Sequence, residues 1–221
     1  TFSSEVPFTG DKERIYIHYP DFATDVEEGE KVLVDDGKIV LEVISTDGKH
    51  DVRLKTKFGG KVSSNKGVNL PDTDITLPSL TEKDLEDLEF LISQPINWIA
   101  LSFVRSEKDL IQLSDILEEN DHPAKIIAKI EKPEAVDNID SIIKYVNAVM
   151  VARGDLGVEM PMEKLPAIQK EIISKCIQWA RPVIVATQLM ESMITNPSPT
   201  RAEITDVANS VLDGADCVML S

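Results

Sequence analysis

From Thr81 onward, short apolar runs alternate with longer segments of helical periodicity, and this alternation constrains the fold more than any other feature. Because the runs are apolar throughout, we expect parallel strands that are covered on both faces or closed into a barrel. The runs are Trp98-Ile99-Ala100-Leu101, Ile126-Ile127-Ala128, Ala148-Val149-Met150-Val151, Val183-Ile184-Val185-Ala186 and Cys217-Val218-Met219-Leu220. The intervening segments predict helices at about 81–92, 106–119, 137–146, 163–180 and 199–212.

The number of runs is compatible with two architectures. A complete (β/α)₈ barrel has eight strands, so five predicted strands fit either part of a barrel or an open doubly wound sheet. An open nucleotide-binding sheet should carry a Gly-rich turn after its first strand, and none follows Leu101. We therefore predict an α/β fold with about five of the eight strands of a TIM barrel.

The first 77 residues read as short strands joined by turns. Asp35-Asp36-Gly37 and Asp47-Gly48 each lie between apolar runs, which is a strong hairpin signal because Gly tolerates positive φ. A turn-rich stretch over 69–74 precedes the change in pattern. We predict a small all-β domain over 1–77 and a barrel portion over 78–221.

Charge excludes several classes of partner. The chain has 39 acidic and 23 basic side chains, a formal charge of −16. This negative field repels nucleic acids and anionic membrane surfaces. No apolar window approaches the roughly 18 residues of a membrane span. An anionic substrate would require a metal ion or a few local cations in one cleft.

The two cysteines indicate the redox state of the compartment in which the protein acts. Cys176 and Cys217 lie in a predicted buried helix face and a predicted buried strand, without metal-ligand spacing. Isolated thiols suggest a reducing environment. The first residues show neither the basic nor the apolar segment of a secretion signal. We therefore expect a cytoplasmic protein.

Polar side chains follow the predicted strands, where parallel barrels carry their chemistry. Lys129 and Glu131 are two residues apart on an extended segment, so their side chains share one face and can either pair or divide two roles. Asp155, in a Gly-flanked turn, could ligate Mg²⁺ together with Glu131, and an Asx turn or helix cap is the alternative.

Two further strand-end residues complete the candidate site. Gly154 would let backbone approach a ligand closely or would simply form a turn, and Thr187 offers a hydroxyl that could equally be an internally bonded core group. A lysine, two carboxylates and a hydroxyl around a divalent ion suit chemistry on an α-keto acid or its enolate. His18, His50 and His122 lie away from the strand ends, so no Ser-His-Asp arrangement competes.

Segments spread along the chain resemble the pyruvate kinase family. They are Val34-Asp35-Asp36-Gly37, Lys66-Gly67-Val68-Asn69-Leu70-Pro71, Ser102-Phe103-Val104-Arg105, Ile127-Ala128-Lys129-Ile130-Glu131, Met150-Val151-Ala152-Arg153-Gly154-Asp155-Leu156-Gly157, Ala186-Thr187-Gln188, and Pro199-Thr200-Arg201-Ala202-Glu203 with the residues that follow to Asp216. The order of the whole set is more specific than any one segment.

The resemblance implies a (β/α)₈ barrel with a β-rich lid domain inserted after its third strand. Residues 1–77 would be the lid domain, incomplete at its N-terminus, and 78–221 the fourth to eighth barrel strands. The implied reaction is the glycolytic transfer of a phosphoryl group from phosphoenolpyruvate to ADP, giving pyruvate and ATP. It implies Mg²⁺ or Mn²⁺, K⁺ whose ligands lie outside this chain, and a homotetramer.

Residue by residue, the resemblance assigns roles to groups at the mouth of the barrel, the end where the carboxyl ends of the parallel strands meet. Lys129 matches the lysine that stabilises the phosphoryl group and the enolate. Glu131 and Asp155 match the metal ligands. Gly154 matches a contact to the substrate carboxylate, and Thr187 a group at the face of the enolate that is protonated.

Three other residues match positions with more peripheral roles. Lys66 resembles a nucleotide-phosphate contact from the lid side. Ser102 and Ser221 resemble residues that line the substrate mouth.

Two alternatives remain open from the sequence. A Mg²⁺-dependent lyase or mutase acting on pyruvate or phosphoenolpyruvate would share the metal and enolate site, but it needs no nucleotide lid. The chain could also be a non-catalytic structural piece. We expect the isolated chain to be inactive, and either to associate with itself or to be one portion of a larger protein, because a partial barrel leaves strand edges open.

Overall fold

The structure, a computed structural model, describes residues 1–73, 75–76 and 78–220. The chain divides into two units, Thr1–Leu77 and Pro78–Ser221, each with its own cluster of buried apolar side chains. None of the helices in the described residues is long and apolar enough to cross a membrane.

The N-terminal unit is a six-stranded sheet. Its strands are β1 (Phe2–Ser3), β2 (Ile15–Tyr16), β3 (Lys31–Val34), β4 (Ile39–Thr46), β5 (Asp51–Phe58) and β6 (Val68–Asn69), in the order β2-β1-β5-β4-β3-β6. All neighbours are antiparallel except β1 and β2. One helical turn, α1 (Phe22–Asp25), departs from the all-β prediction. It is too short to give a periodic signal, and burial of Phe22 and Ala23 accounts for it.

Both predicted hairpins are confirmed. Asp35 and Asp36 each adopt φ of 56° and Gly37 a φ of 78° in the turn between β3 and β4. In the turn between β4 and β5, Gly48 has a φ of 67°, and one oxygen of Asp47 accepts hydrogen bonds from three successive backbone N–H groups. Those hydrogen bonds lower the pKa of the Asp47 carboxyl.

The C-terminal unit is a parallel sheet of five strands with helices between them. The strands are β7 (Trp98–Leu101), β8 (Lys125–Ile130), β9 (Ala148–Ala152), β10 (Val183–Ala186) and β11 (Cys217–Met219). The helices are α2 (Glu82–Ile92), α3 (Glu107–Glu119), α4 (Pro133–Asp137), α5 (Ile139–Tyr145), α6 (Arg153–Glu159), α7 (Leu165–Gln178) and α8 (Arg201–Leu212), with 3₁₀ turns at Met162–Lys164 and Glu191–Ile194.

The strand order identifies the kind of sheet. Neighbours follow the chain without a reversal, β7-β8-β9-β10-β11, and every pairing is parallel. A doubly wound sheet reverses its order at a switch point, whereas barrel strands succeed one another around the wall. The arrangement therefore fits part of an α/β barrel, as the sequence predicts.

Burial differs between the middle and the edges of this sheet. Ile126, Val149 and Val183 of the three central strands are buried, as the unbroken apolar runs predict. Cys176 is buried on α7, also as predicted, but Cys217 is exposed, contrary to the prediction of a buried strand. It lies on β11, which pairs among the described strands only with β10, so one side of that strand lacks the cover of a neighbour.

The helices lie close to their predicted ranges, with two differences. Thr81 and Thr200 each form a capping box with the acidic residue three positions later. The helix predicted at 137–146 is α5, and an additional short helix that was not predicted, α4, precedes it and meets it at Asn138. Helix α6 was not predicted, because its two glycines are poor helix formers.

The cap of α8 gives a prediction about stability. The Glu203 carboxylate accepts hydrogen bonds from the hydroxyl and backbone N–H of Ser192 and from the backbone N–H of Thr200, and these lower its pKa from 4.5 to about 2. A depressed pKa stabilises the folded state above the unfolded value and loses that contribution as the pH falls through the folded value.

We therefore expect the melting temperature of the unaltered chain to fall more steeply between pH 4.5 and 2 than that of Glu203→Gln. Thermal melts followed by circular dichroism across this range measure the difference. Glu86→Gln, on the exposed face of α2, is the matched control and should follow the unaltered chain. Parallel curves for Glu203→Gln and the unaltered chain would contradict the prediction.

Candidate active site

Lys129 and Glu131 meet at the C-terminal end of β8. The Lys129 ammonium lies 2.7 Å from Oε1 of Glu131 and donates to the Ser102 hydroxyl at 2.8 Å. Oε2 of Glu131 accepts a hydrogen bond from the backbone N–H of Phe103 at 2.7 Å. The predicted pairing of the two charges is therefore present, although Glu131 lies one residue beyond the last residue of β8.

Burial makes this pair energetically important. The Glu131 side chain is only 2% exposed and that of Lys129 27%. A carboxylate withdrawn from water needs a compensating charge or hydrogen bonds, and Glu131 has both. An ammonium has three donors, and the described contacts of Lys129 use two of them. One N–H of Lys129 is thus available for a ligand at the mouth.

The backbone after β7 is shaped to reach Glu131. Phe103 adopts a φ of 54°, in the left-handed region that a residue with a bulky side chain rarely visits. This conformation accompanies the hydrogen bond from its N–H to Glu131, while the Phe103 ring is exposed. No sequence pattern signals this contact, because any residue except proline can supply the N–H at position 103.

Gly154 and Thr187 form a second cluster, at the ends of β9 and β10. The Thr187 hydroxyl accepts from the Gly154 N–H at 2.6 Å and donates to the Ala186 carbonyl at 2.7 Å. A Cβ at position 154 would lie 3.2 Å from Oγ1 of Thr187, so glycine permits this close approach. The two bonds fix the hydroxyl in one orientation.

Arg153 holds this cluster in place, a role that is not among those predicted from the sequence. Its guanidinium forms two hydrogen bonds to the Asp206 carboxylate, at 2.7 and 2.9 Å, and one to the Thr187 carbonyl at 2.8 Å. Thr187 has a φ of 71°, a strained value for a β-branched residue. The sequence signals for Arg153 are its place directly after an apolar run and its inclusion in a segment that resembles the family.

Asp155 lies in the first turn of helix α6, which corrects the prediction of a Gly-flanked turn. The helix forms although Gly154 and Gly157 disfavour it, because tertiary contacts hold its ends and Leu156 is fully buried. Asp155 itself is half-buried. Since β8 and β9 are neighbours in the sheet, Glu131 and Asp155 both follow the same edge of it.

Lys66 and Ser221 complete the predicted set. Lys66 belongs to the N-terminal unit, where its ammonium lies 2.7 Å from Oδ1 of Asp35. Hydrogen bonds from Lys66 and Lys38 lower the pKa of the Asp35 carboxyl, and the bond to Asp35 raises the pKa of Lys66. Ser221 lies outside the described residues.

The donor set at the mouth fits a hard divalent cation. Mg²⁺ prefers one or two carboxylates together with water and substrate oxygens. Each oxygen of Glu131 has one described partner and can accept a second, so the ion pair does not exhaust its capacity. Among residues 1–73, 75–76 and 78–220, no group of three or more His, Cys, Asp or Glu side chains is arranged to hold a metal. Glu131 and Asp155 are the two carboxylates that the sequence analysis predicts as ligands, and both follow the same edge of the sheet.

Comparisons with known proteins agree on one family. Residues 1–221 match the family described as pyruvate kinase, barrel domain. The chain is 50% identical to a pyruvate kinase of Corynebacterium efficiens over 212 residues, which cover 96% of this chain and 44% of the relative. It is 49% identical to a Mycobacterium tuberculosis pyruvate kinase, with 96% and 45% covered.

A solved structure gives the same result. A pyruvate kinase from Cryptosporidium parvum superposes with a TM-score of 0.92 at 40% identity, and the match covers 100% of this chain and 46% of that one. The chain therefore spans less than half the length of the relatives it matches.

Proposed function

The chain belongs to the pyruvate kinase family, and on that premise we propose that it supplies part of an active site that transfers a phosphoryl group from phosphoenolpyruvate to ADP. The observation that carries the proposal is the buried ion pair of Lys129 and Glu131 at the end of β8. It places a fixed cation with an available donor at the mouth of a strongly acidic protein, where an anionic substrate needs one.

Lys129 stabilises the charge that develops during transfer. The bond between phosphorus and the enol oxygen breaks as a β-phosphate oxygen of ADP bonds to phosphorus, and the enol oxygen keeps the electron pair. The enolate carbon then takes up a proton to give pyruvate. Because Glu131 and Ser102 already orient the ammonium, Lys129 can donate to the transferring group without reorganisation.

Glu131 and Asp155 would hold Mg²⁺ or Mn²⁺, which supplies charge neutralisation between the phosphoryl oxygens and the enolate when it is bound. Glu131 has a second role, because its negative charge keeps the Lys129 ammonium in place. The family resemblance implies that K⁺ also takes part, through ligands outside this chain.

The remaining residues bind and orient. The Gly154 turn would approach the substrate carboxylate, and Ser102 would line the mouth beside it. Thr187, with a hydroxyl fixed by two hydrogen bonds, would face the carbon that is protonated. Lys66 would contact a nucleotide phosphate, and its contact with Asp35 would weaken as it does so.

We further propose that residues 1–77 are part of an inserted lid domain and that 78–221 carry the fourth to eighth strands of a barrel, in a cytoplasmic homotetramer that acts in glycolysis. The share of each relative that this chain covers, 44 to 46%, supports a longer protein of which these two units form a part. Formation of pyruvate from phosphoenolpyruvate and ADP by such a family-length protein tests the activity directly, and no turnover would overturn it.

The metal assignment has its own test in that family-length protein. We expect Glu131→Gln and Asp155→Asn each to weaken Mn²⁺ binding by at least about 10-fold, the loss that even outer-shell substitutions produce. Electron paramagnetic resonance titration of free Mn²⁺ measures it. Asp87→Asn, on exposed α2, removes the same charge as a control and should leave the affinity unchanged. Unaltered affinity in both site variants would sink the assignment.

A further inference from the structure

A second buried ion pair is formed by residues close in sequence to the proposed metal ligands. The Lys132 ammonium is 2.7 Å from Oε1 of Glu159, with side chains only 10% and 2% exposed. We propose that this pair positions helix α6 and thereby sets the separation of Glu131 and Asp155. The inference rests on the proposed function, because it gives those two carboxylates a shared ligand.

The sequence neighbours of the pair are the reason for this assignment. Lys132 directly follows Glu131, and its carbonyl begins helix α4 by accepting hydrogen bonds from Ala135 at 3.1 Å and Val136 at 3.4 Å. Its backbone is therefore fixed on the β8 side of the mouth. A contact made by Lys132 is transmitted to Glu131 through a single peptide unit.

On the other side, Glu159 is the last residue of α6 and lies four positions after Asp155. Residues four apart lie one above the other on the same helix face. The ligand pair and the ion pair thus join the same two elements, β8 with its extension and α6, one helical turn apart.

Helix α6 depends on contacts at its ends. It has seven residues, two of them glycine, and so short a helix is not stable by itself. Its first turn is held by the bonds from Arg153 to Asp206 and from Gly154 to Thr187. The bond from Lys132 to Glu159 holds its last turn.

Neither residue matches a position that the family resemblance assigns to the metal or the substrate, and the two side chains contact each other in a buried pair. Lys132 and Glu159 therefore act through α6 as positioning residues. A buried pair is a weak source of net stability, whereas replacement of Glu159 removes the counter-charge of the buried Lys132 ammonium and replacement of Lys132 removes one contact of Glu159. This makes each single substitution a sensitive probe of the position of α6.

The test uses Glu159→Gln and Lys132→Met in the family-length protein. Glu159→Gln is the milder change, since an amide oxygen still accepts from Lys132, and it carries the test if Lys132→Met fails to fold. We expect Mn²⁺ affinity to fall about 10-fold in each, the usual effect of an outer-shell substitution. We also expect faster hydrogen exchange of the α6 amides, with α3 unchanged. Lys132→Arg, which keeps the charge, should recover most of the affinity.

Two controls separate positioning from general destabilisation. Lys83→Met breaks an exposed ion pair on α2 and should change nothing. Leu117→Ala removes buried packing beside Ile126, at the opposite end of β8, so it should lower the melting temperature without changing Mn²⁺ affinity.

The outcomes distinguish this inference from the proposed function. If folded Glu159→Gln and Lys132→Met keep both their Mn²⁺ affinity and their α6 protection, the positioning role is wrong. If the unaltered protein binds no Mn²⁺, the proposed function fails, and α6 exchange alone decides whether the pair positions the helix. If Leu117→Ala loses as much Mn²⁺ affinity as Glu159→Gln and Lys132→Met, the ion pair contributes only to general stability, and the positioning role is wrong.

Discussion

Replacement of Lys129 by Ala in a family-length protein is expected to lower kcat by about 10²–10³, or roughly 3–4 kcal/mol, the scale for removal of one preorganised charge stabiliser. The ammonium is oriented by Glu131 and Ser102 before any substrate arrives. Its effect should therefore appear where negative charge develops, in the transition state, rather than in ground-state binding.

A coupled assay of pyruvate formation, with phosphoenolpyruvate and ADP varied separately, measures kcat and KM. Lys125→Ala is the matched control, because it removes the same charge from the opposite end of β8, where the ammonium lies 5.2 Å from the Trp98 ring. It should leave kcat unchanged. A loss confined to KM in Lys129→Ala would show that Lys129 only binds the ground state.

Lys129→Ala also leaves the Glu131 carboxylate buried without its counter-charge, so its fold must be checked by circular dichroism. Lys129→Met covers more of the carboxylate and serves as a second variant. An equal fall in kcat for both, in folded protein, would assign the loss to the missing charge rather than to altered packing.

The parallel strands could be predicted because their sequence signal is local. The runs at 98–101 and 183–186 match β7 and β10 residue for residue. Cys217 shows the limit of that signal. Its run is as apolar as the others, but exposure depends on whether a neighbouring strand follows, which the run itself does not encode.

The contacts at the candidate site also differ in whether the sequence predicts them. The meeting of Lys129 and Glu131 follows from their spacing of two residues, so the sequence predicts it. The bond from Lys132 to Glu159 spans 27 residues and that from Arg153 to Asp206 spans 53. Such pairs depend on the order and packing of whole elements, and a single sequence contains no local pattern for them.

Helix α6 was missed for the same reason. Gly154 and Gly157 favour a turn by propensity, and the predicted turn was the better local solution. The observed helix is maintained by partners elsewhere in the chain, at Thr187, Asp206 and Lys132. Propensity is a weak term, and three tertiary contacts outweigh it.

The second large effect concerns the 221-residue chain by itself, which we expect to give no detectable turnover and to self-associate. A barrel closes its ladder of hydrogen bonds only with eight strands, and this sheet has five in the described residues. Its outer strands, β7 and β11, carry apolar side chains that are partly open to water, with Trp98 43% and Met219 42% exposed. Open strand edges with apolar side chains pair with other chains.

Catalysis should fail even where folding succeeds. Lys129 and Glu131 can be placed correctly within the C-terminal unit, because their contacts are internal to it. The K⁺ ligands that the family resemblance implies are outside the chain, and a partial barrel leaves the mouth open to water, which weakens the electrostatic stabilisation on which Lys129 depends.

A coupled assay with Mg²⁺, K⁺, ADP and phosphoenolpyruvate, run beside sedimentation velocity on the same material, tests both expectations. Met219→Lys places a charge on the β11 edge and should reduce association, since charged residues block pairing at edges. Tyr145→Lys, at an exposed position on α5 away from the outer strands, is the matched control and should not. Turnover close to that of a family-length enzyme, from a monodisperse monomer, would show that five strands suffice to build the site and that closure of the barrel is not what completes it.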